Sequence, residues 1–221
     1  MPRRPRRVSL RGRSSRRPAP LRAGRVRSAD ALSSTRAQRC VRDCILAAVS
    51  ALAPPDLPLA DGVVTLRAWR ADDLDAVVEA LQDPTITRWT RVPSPYGPRQ
   101  FAAWMAEQGE QRTAGTGLHF LVVDSRQRVV GAVGVQLTED APDIGYWCAA
   151  KHRGRGYTSR AVRLLRDHLR ALGFSRVDIF IHHDNELSQH VAEAANFARQ
   201  PGLTKVERLG DEAVYVRFTF P

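Results

Sequence analysis

The sequence predicts an α/β (α+β) domain built on one mixed sheet of about seven strands, with helices on both faces. Three observations predict it. From Asp61 onward, short β-rich runs alternate with segments whose apolar residues recur at helical spacing. Leu118 to Asp124 and Val129 to Leu137 flank a polar four-residue turn and read as an antiparallel hairpin. Asp143 to Ala149 then passes through a loop of glycines and arginines into a helix.

The elements follow in the order β-α-α-β-β-β-α-β-α-β-β. Val63 to Arg70 is a strand. Asp72 and Asp73 place acids at the start of a helix whose positions Leu74, Val77, Val78 and Leu81 share one face. Asp83-Pro84 ends it. Beyond the turn Pro93 to Pro98, a second helix aligns Phe101, Trp104, Met105 and Gln108, and Gly115 and Gly117 close it. The hairpin follows, and Asp143 to Ala149 extends the meander. The next helix, Thr158 to Leu172, would bury Ala161, Leu165, Leu169 and Leu172 and stop at Gly173. In the strand Arg176 to His182, Val177, Ile179 and Ile181 alternate with Asp178, Phe180 and His182. Asn185 can cap a short helix carrying Leu187, Val191 and Ala195, and two β-like runs, Gly202 to Leu209 and Ala213 to Phe220, finish the chain.

Residues 1–56 have a different texture. The first fifty carry fourteen arginines against two acids, a net +12, so the rest of the +11 chain sums to −1. The basic charge is thus a property of the extension. Arginine-rich, acid-poor sequence with almost no aromatics cannot bury enough apolar surface to fold, so disorder is the first reading. A weak contact with nucleic acid, the ribosome or an anionic membrane through residues 1–50 is the second, since arginines neutralise phosphates. Arg36 to Ala53 reads as a weak amphipathic helix before a Pro54-Pro55 linker, and its apolar run, Cys44 to Ala53, is too short to span a bilayer. Cys40, Cys44 and Cys148 have neither the spacing of a metal site nor an evident partner, which suits a reducing cytoplasm.

The strand-loop-helix from Asp143 to Val162 carries the functional signal. Gly154 and Gly156 let a backbone approach an anion, and the first-turn amides of the following helix point at it along the helix dipole. Gly154-x-Gly156-x-x-Ser159 falls one residue short of a dinucleotide fingerprint, although Asp178 lies where a ribose-binding acid would stand. An antiparallel meander precedes it, and Lys151-His152-Arg153 separates strand from glycines, which opposes that reading.

Four stretches resemble the GNAT superfamily of acetyl-CoA-dependent N-acetyltransferases, in particular the branch similar to ribosomal-protein N-terminal acetyltransferases. They are Val64 to Arg70, Val130 to Gly134, Asp143-Ile-Gly-Tyr-Trp through Arg153-Gly-Arg-Gly-Tyr, and Asn185-x-x-Ser188 through Asn196-Phe197. The resemblance covers about Val63 to Phe220. It implies a GNAT-like domain over 61–221 in which Arg153, Gly154, Arg155, Gly156, Tyr157 and Thr158 bind the coenzyme A pyrophosphate. It implies that the edge of Trp147, Cys148 and Ala149 pairs with the pantetheine arm, and that Asn185 binds a pantetheine amide. The strand from Asp143 and the strand from Arg176 would be parallel neighbours that splay toward their C-terminal ends.

Acetyl transfer to an amine needs a neutral nucleophile, donors for the oxyanion and help for the departing thiolate. The resemblance assigns the last role to Ser188, whose other reading is helix capping. Where the wider superfamily often places a tyrosine, this chain has Ala192. Glu139, Asp140 and Asp143 could relay a proton, or could be solvated turn acids. His182 and His183 read either as bases or as polar strand caps. Trp104 reads as core, and Trp89 and Tyr96 as an acceptor wall. An α-amine is roughly a tenth neutral at pH 7 and a lysine well under about 0.1%, so a site without an obvious base suits a protein N-terminus or a small low-pKa amine. The expected partner is such an acceptor, with the protein a monomer or homodimer. A GNAT-fold module that binds coenzyme A or a protein without turnover, and an RNA or ribosome tether acting through the basic extension, are the alternatives.

Overall fold

The computed structural model describes residues 51–208 and 211–221, and the side chains of all of these except 205–208 and 211–213. The arginine-rich extension, Cys40, Cys44 and most of the predicted helix over 36–53 lie outside the described residues.

Among the described residues nine strands form one sheet: β1 (Leu59–Ala60), β2 (Val64–Arg67), β3 (Gly117–Asp124), β4 (Val129–Leu137), β5 (Pro142–Cys148), β6 (Val177–His182), β7 (Ala198–Arg199), β8 (Thr204–Arg208) and β9 (Asp211–Phe220). The hydrogen-bonded path is β1-β2-β3-β4-β5-β6-β9-β7, with β8 also on β9. The expected count of about seven is exceeded by β1 and β7, pairs of residues too short to show any periodicity. All neighbours are antiparallel except β5 and β6.

Among the described residues five α-helices cover the faces: α1 (Leu74–Leu81), α2 (Pro84–Trp89), α3 (Pro98–Ala114), α4 (Tyr157–Ala171) and α5 (Glu186–Ala194). Helix α2 is absent from the predicted order. Asp83-Pro84 does end α1, but the same pair starts a helix: the Asp83 carboxylate accepts the Thr85 amide at 2.9 Å, and proline at the first helical position has no N–H to leave unpaired. In α5 the expected apolar Leu187 is 79% exposed, and Gln189 and Ala192 take the buried positions instead.

The alternation of each strand divides the core in two. Leu118, Phe120, Val133, Ile144, Val177, Ile179 and Ile181 face α4, meeting Ala161, Val162, Leu165 and Leu169. Leu121, Ala132 and Trp147 face the other way, toward Trp69, Val77, Leu81, Ile86 and Phe101. Tyr96 lies in this second core, 7% exposed, so it cannot serve as the acceptor wall expected of it. Burial also pushes its phenol up to about 12.

The packed unit reaches back beyond Asp61. Leu52 is 1% exposed within the larger core, its amide donates to the Gly115 carbonyl at 2.9 Å, and His168 Nε2 bonds the Ala53 carbonyl at 2.9 Å. The last residues of the predicted helix, 51–53, are not helical.

His119 on β3 is the most perturbed histidine of the second layer. Its ring fills the space over Gly134, Trp104 meets it edge-on with centroids 4.7 Å apart, and its Nε2–H donates to Gln111 Oε1 at 2.7 Å. Burial, helped by the Arg91 charge, pushes the imidazole down to about 4. The unfolded chain takes up this proton near ~6.5 and the folded chain only near 4, so the contribution is whole above ~6.5 and is lost as pH falls between these values. The expected loss is about 2–3 kcal/mol. Urea unfolding of wild type and His119→Gln at pH 7 and pH 4.5 checks it: the variant should show the flatter dependence.

Candidate active site

Strands β5 and β6 share a single ladder pair, Asp143 with Asp178, and then part. On its other side β5 is paired with β4 along its whole length. Ala149 donates its amide to Val130, toward β4, so strand alternation turns the N–H and C=O groups of Ile144, Tyr146 and Cys148 toward the gap. The Cys148 carbonyl accepts from Arg153 Nη2 at 3.2 Å on that side. Of the three residues expected to line this edge, then, only Cys148 turns its backbone to the gap. Trp147 and Ala149 face β4, and Trp147 packs its ring in the second core. Tyr146, which the sequence reading passed over, joins Cys148 at the gap.

After β5 a 3-10 turn, Ala150–His152, leads into the glycine loop. Gly154 and Gly156 adopt left-handed backbone, φ 74° and 72°, which β-carbon-bearing residues rarely hold. A Cβ at Gly154 would meet nothing within 4 Å. Gly156 is the N-cap of α4, and the first i→i−4 bond is Arg160 N to Gly156 O, so the amides of Tyr157, Thr158 and Ser159 precede the helical ladder. Exposed Arg155 adds charge. These are the donors a pyrophosphate requires, on a surface with room for one. Arg153 is already engaged: its guanidinium bonds Asp83 Oδ2 at 2.5 Å as well as the Cys148 carbonyl. Lys151 pairs with Glu79 at 2.8 Å, both exposed. Burial holds the Cys148 thiol above its ordinary value, with Thr158 and Arg153 pulling it back.

On the far side of the gap Asn185 caps α5, its Oδ1 accepting the Ser188 amide at 3.2 Å. Capping therefore belongs to Asn185. The Ser188 hydroxyl instead donates to the Tyr146 hydroxyl at 2.9 Å, and that hydroxyl donates to the Ser188 carbonyl at 2.9 Å. A hydroxyl pair thus ties β5 to the first turn of α5. Burial raises the Tyr146 phenol well above its ordinary value, so it stays a neutral donor.

The carboxylates divide. Asp143 stands at the vertex beside Asp178, a buried acid held by Arg176 and by the Thr219 hydroxyl at 2.8 Å. Glu139 and Asp140 sit in the exposed turn before β5. At the open end, His182 lies 5.2 Å from the Trp89 ring and 4.7 Å from His183, centroid to centroid. His182 Nδ1 accepts the Asp184 amide at 3.2 Å, so the lone pair a base needs is in use. His182, His183 and Asp184 bring one ligand atom each within 4.8 Å, but His183 also bonds Asp184 and the Val214 carbonyl.

A mixed sheet whose two parallel central strands part beside a glycine-led helix start defines a class of α/β protein with an open cleft at the centre of its sheet. The profile of the family described as "Acetyltransferase (GNAT) domain" matches residues 64–198, and the chain belongs to that family. It is an acyltransferase that uses acetyl-CoA as acetyl donor. The uncharacterized N-acetyltransferase p20 of Bacillus licheniformis is 23% identical over 151 residues, 66% of this chain and 84% of that protein. A putative ribosomal-protein-serine acetyltransferase from Vibrio cholerae has the same fold, with a TM-score of 0.64 at 19% identity over 75% of this chain and 98% of that one. RimJ of Mycobacterium smegmatis, solved with CoA-disulfide, gives 0.63 at 21% identity over 74% and 85%.

Proposed function

We propose that this protein moves an acetyl group from acetyl-CoA to a primary amine by direct attack in a ternary complex, the acceptor being a protein N-terminal α-amine or a small amine. The single ladder pair between β5 and β6 carries this reading. A closed sheet would have no place for a thioester that an amine must reach from the opposite face. Similarity to ribosomal-protein acetyltransferases supports the choice of a protein acceptor.

In this reading Gly154, Gly156, the amides of Tyr157 and Thr158 and the guanidiniums of Arg153 and Arg155 hold the pyrophosphate. Backbone groups of Tyr146 and Cys148 pair with the pantetheine amides, between flanking Trp147 and Ala149, and Asn185 adds its side-chain amide. Acetyl-CoA supplies an acyl carbon already activated as a thioester. The amine nitrogen bonds that carbon, the C–S bond breaks, and the sulfur leaves as thiolate. The Ser188 hydroxyl proton turns from Tyr146 to that sulfur as a hydrogen bond, and the Tyr146 hydroxyl then donates to the Ser188 oxygen and holds it in place. The proton shed by the attacking nitrogen passes to Asp143 at the vertex, and through water to Glu139. Asp143 therefore selects no amine by basicity, which leaves the acceptor's own pKa to decide.

No helix among the described residues is long and apolar enough to cross a membrane. A cytoplasmic setting accords with the cysteine usage and a monomer or homodimer with the reading above, and residues 1–50 are the proposed nucleic-acid or ribosome contact. The test of function is thiol release from acetyl-CoA against a panel of peptides, polyamines and aminoglycosides. Amine-dependent release is expected. Coenzyme binding with no release from any acceptor would overturn the reading.

A further inference from the structure

Gly145 sits in the middle of a central strand, yet it is exposed. Its neighbours Ile144 and Tyr146 pack toward α4, so Gly145 faces the α1–α3 layer, and that layer leaves it uncovered: a Cβ there would meet nothing within 4 Å. A glycine inside a strand weakens the sheet unless another backbone or a ligand must come close. Its partner across β4 is Gly134, whose own space is taken by the His119 ring. The opening is therefore confined to Gly145.

Its borders are chemically unlike. Asp143 precedes it by two residues on the same face, and Trp147 follows by two. Asp143 is register partner to Gln136, and Gln136 Oε1 accepts from Arg91 Nη2 at 3.0 Å. Arg91 is exposed and uses one of five N–H donors in that bond. That bond holds the guanidinium at β4, next to the register partner of Asp143.

Building on the acetyl-transfer reading, we propose that the opening over Gly145 is the acceptor subsite, with Asp143 facing the amino group whose proton it takes and Arg91 donating to a carbonyl oxygen next to it. The acceptor class is an α-amino acyl compound, a peptide N-terminus above all. A simple alkylamine offers Arg91 nothing, and a polyamine brings it further positive charge. A site built to bond a substrate group discriminates against the analogue lacking it, because its own polar atoms are then left unpaired.

Three measurements on the full chain test this. Arg91→Gln should lower kcat/KM for alanyl-alanine amide about tenfold more than for butylamine, a ratio in which amine basicity cancels. Equal falls, or none, would overturn the role of Arg91. Gly145→Val should cut turnover of both acceptors by about 100-fold or more while CoA affinity, from calorimetry, and melting temperature are kept, because a β-branched residue suits a strand and meets open space. Undiminished turnover in that variant overturns the subsite. If wild type acetylates no amine at all, the reading of function falls by itself, and the subsite is judged by binding of the dipeptide amide to CoA-loaded protein. Binding weakened by Arg91→Gln supports it, and binding that is absent or unchanged in the variant overturns it.

Discussion

A chain cut to begin at Asp61 is expected to be less stable than one beginning at Ala51 by about 2–5 kcal/mol, the range for losing a buried leucine from a packed core. Leu52 supplies the reason. It is enclosed among Val64, Leu118 and other residues of the larger core, and its amide closes a hydrogen bond with Gly115 that holds the turn between α3 and β3. Cutting at Asp61 opens a cavity and unpairs the Gly115 carbonyl, and it frees His168 from Ala53. Urea unfolding of the two chains and of Leu52→Ala in the full chain checks this. Coincident midpoints would mean that Leu52 contributes nothing. A practical rule follows for nucleic-acid binding: removing residues 1–50 isolates the extension, whereas removing 1–60 also damages the domain.

Ser188→Ala is expected to lower kcat by about 100-fold with little change in the acceptor's KM, the effect of losing one donor to a charge that exists only on the way to product. The helix cap should survive, since Asn185 bonds the Ser188 backbone amide and not its hydroxyl. Tyr146→Phe should also lower kcat, because the Ser188 hydroxyl then loses the partner that orients it. The double variant should be no worse than the worse single one, as for two groups acting as a unit. Steady-state kinetics on all three decides it. Additive losses would mean that the hydroxyls act separately, and an unchanged kcat in Ser188→Ala would remove it from the mechanism.

What could be read in the sequence was whatever is local. The alternation of Val177, Ile179 and Ile181 placed β6, Gly173 marked the end of α4, and Gly154 and Gly156 marked the left-handed turn into that helix, because each signal is complete within a few residues. Asn196, just past α5, adopts left-handed backbone, φ 64°, which asparagine holds more readily than most residues. Asp83-Pro84 misled because the same dipeptide stops one helix and caps the next. Leu52 was hidden in an apolar run adjoining arginines, where composition argues for a disordered extension with a weak helix and only the distant Gly115 reveals a core residue. The Tyr146–Ser188 pair spans forty-two residues, and no spacing rule joins a strand to a later helix start. Trp147 to Ala149 was read as an edge, but the direction of each residue's backbone groups depends on the register with β4. Gly145 gave no signal because a glycine in a strand looks the same whether it is filled over or open.

The ion pair between Arg153 and Asp83 gives this arginine an internal counter-ion. In the proposed coenzyme site a phosphate arriving at Arg153 would displace a carboxylate already there, so the gain would be the difference between two attractions and not the whole of one. Dissolved salt weakens both partners of such an exchange together. Affinity for the coenzyme should then depend less steeply on ionic strength than the arginines of this loop would suggest, and Asp83→Asn should steepen it. The carboxylate thus exchanges some binding strength for constancy across conditions.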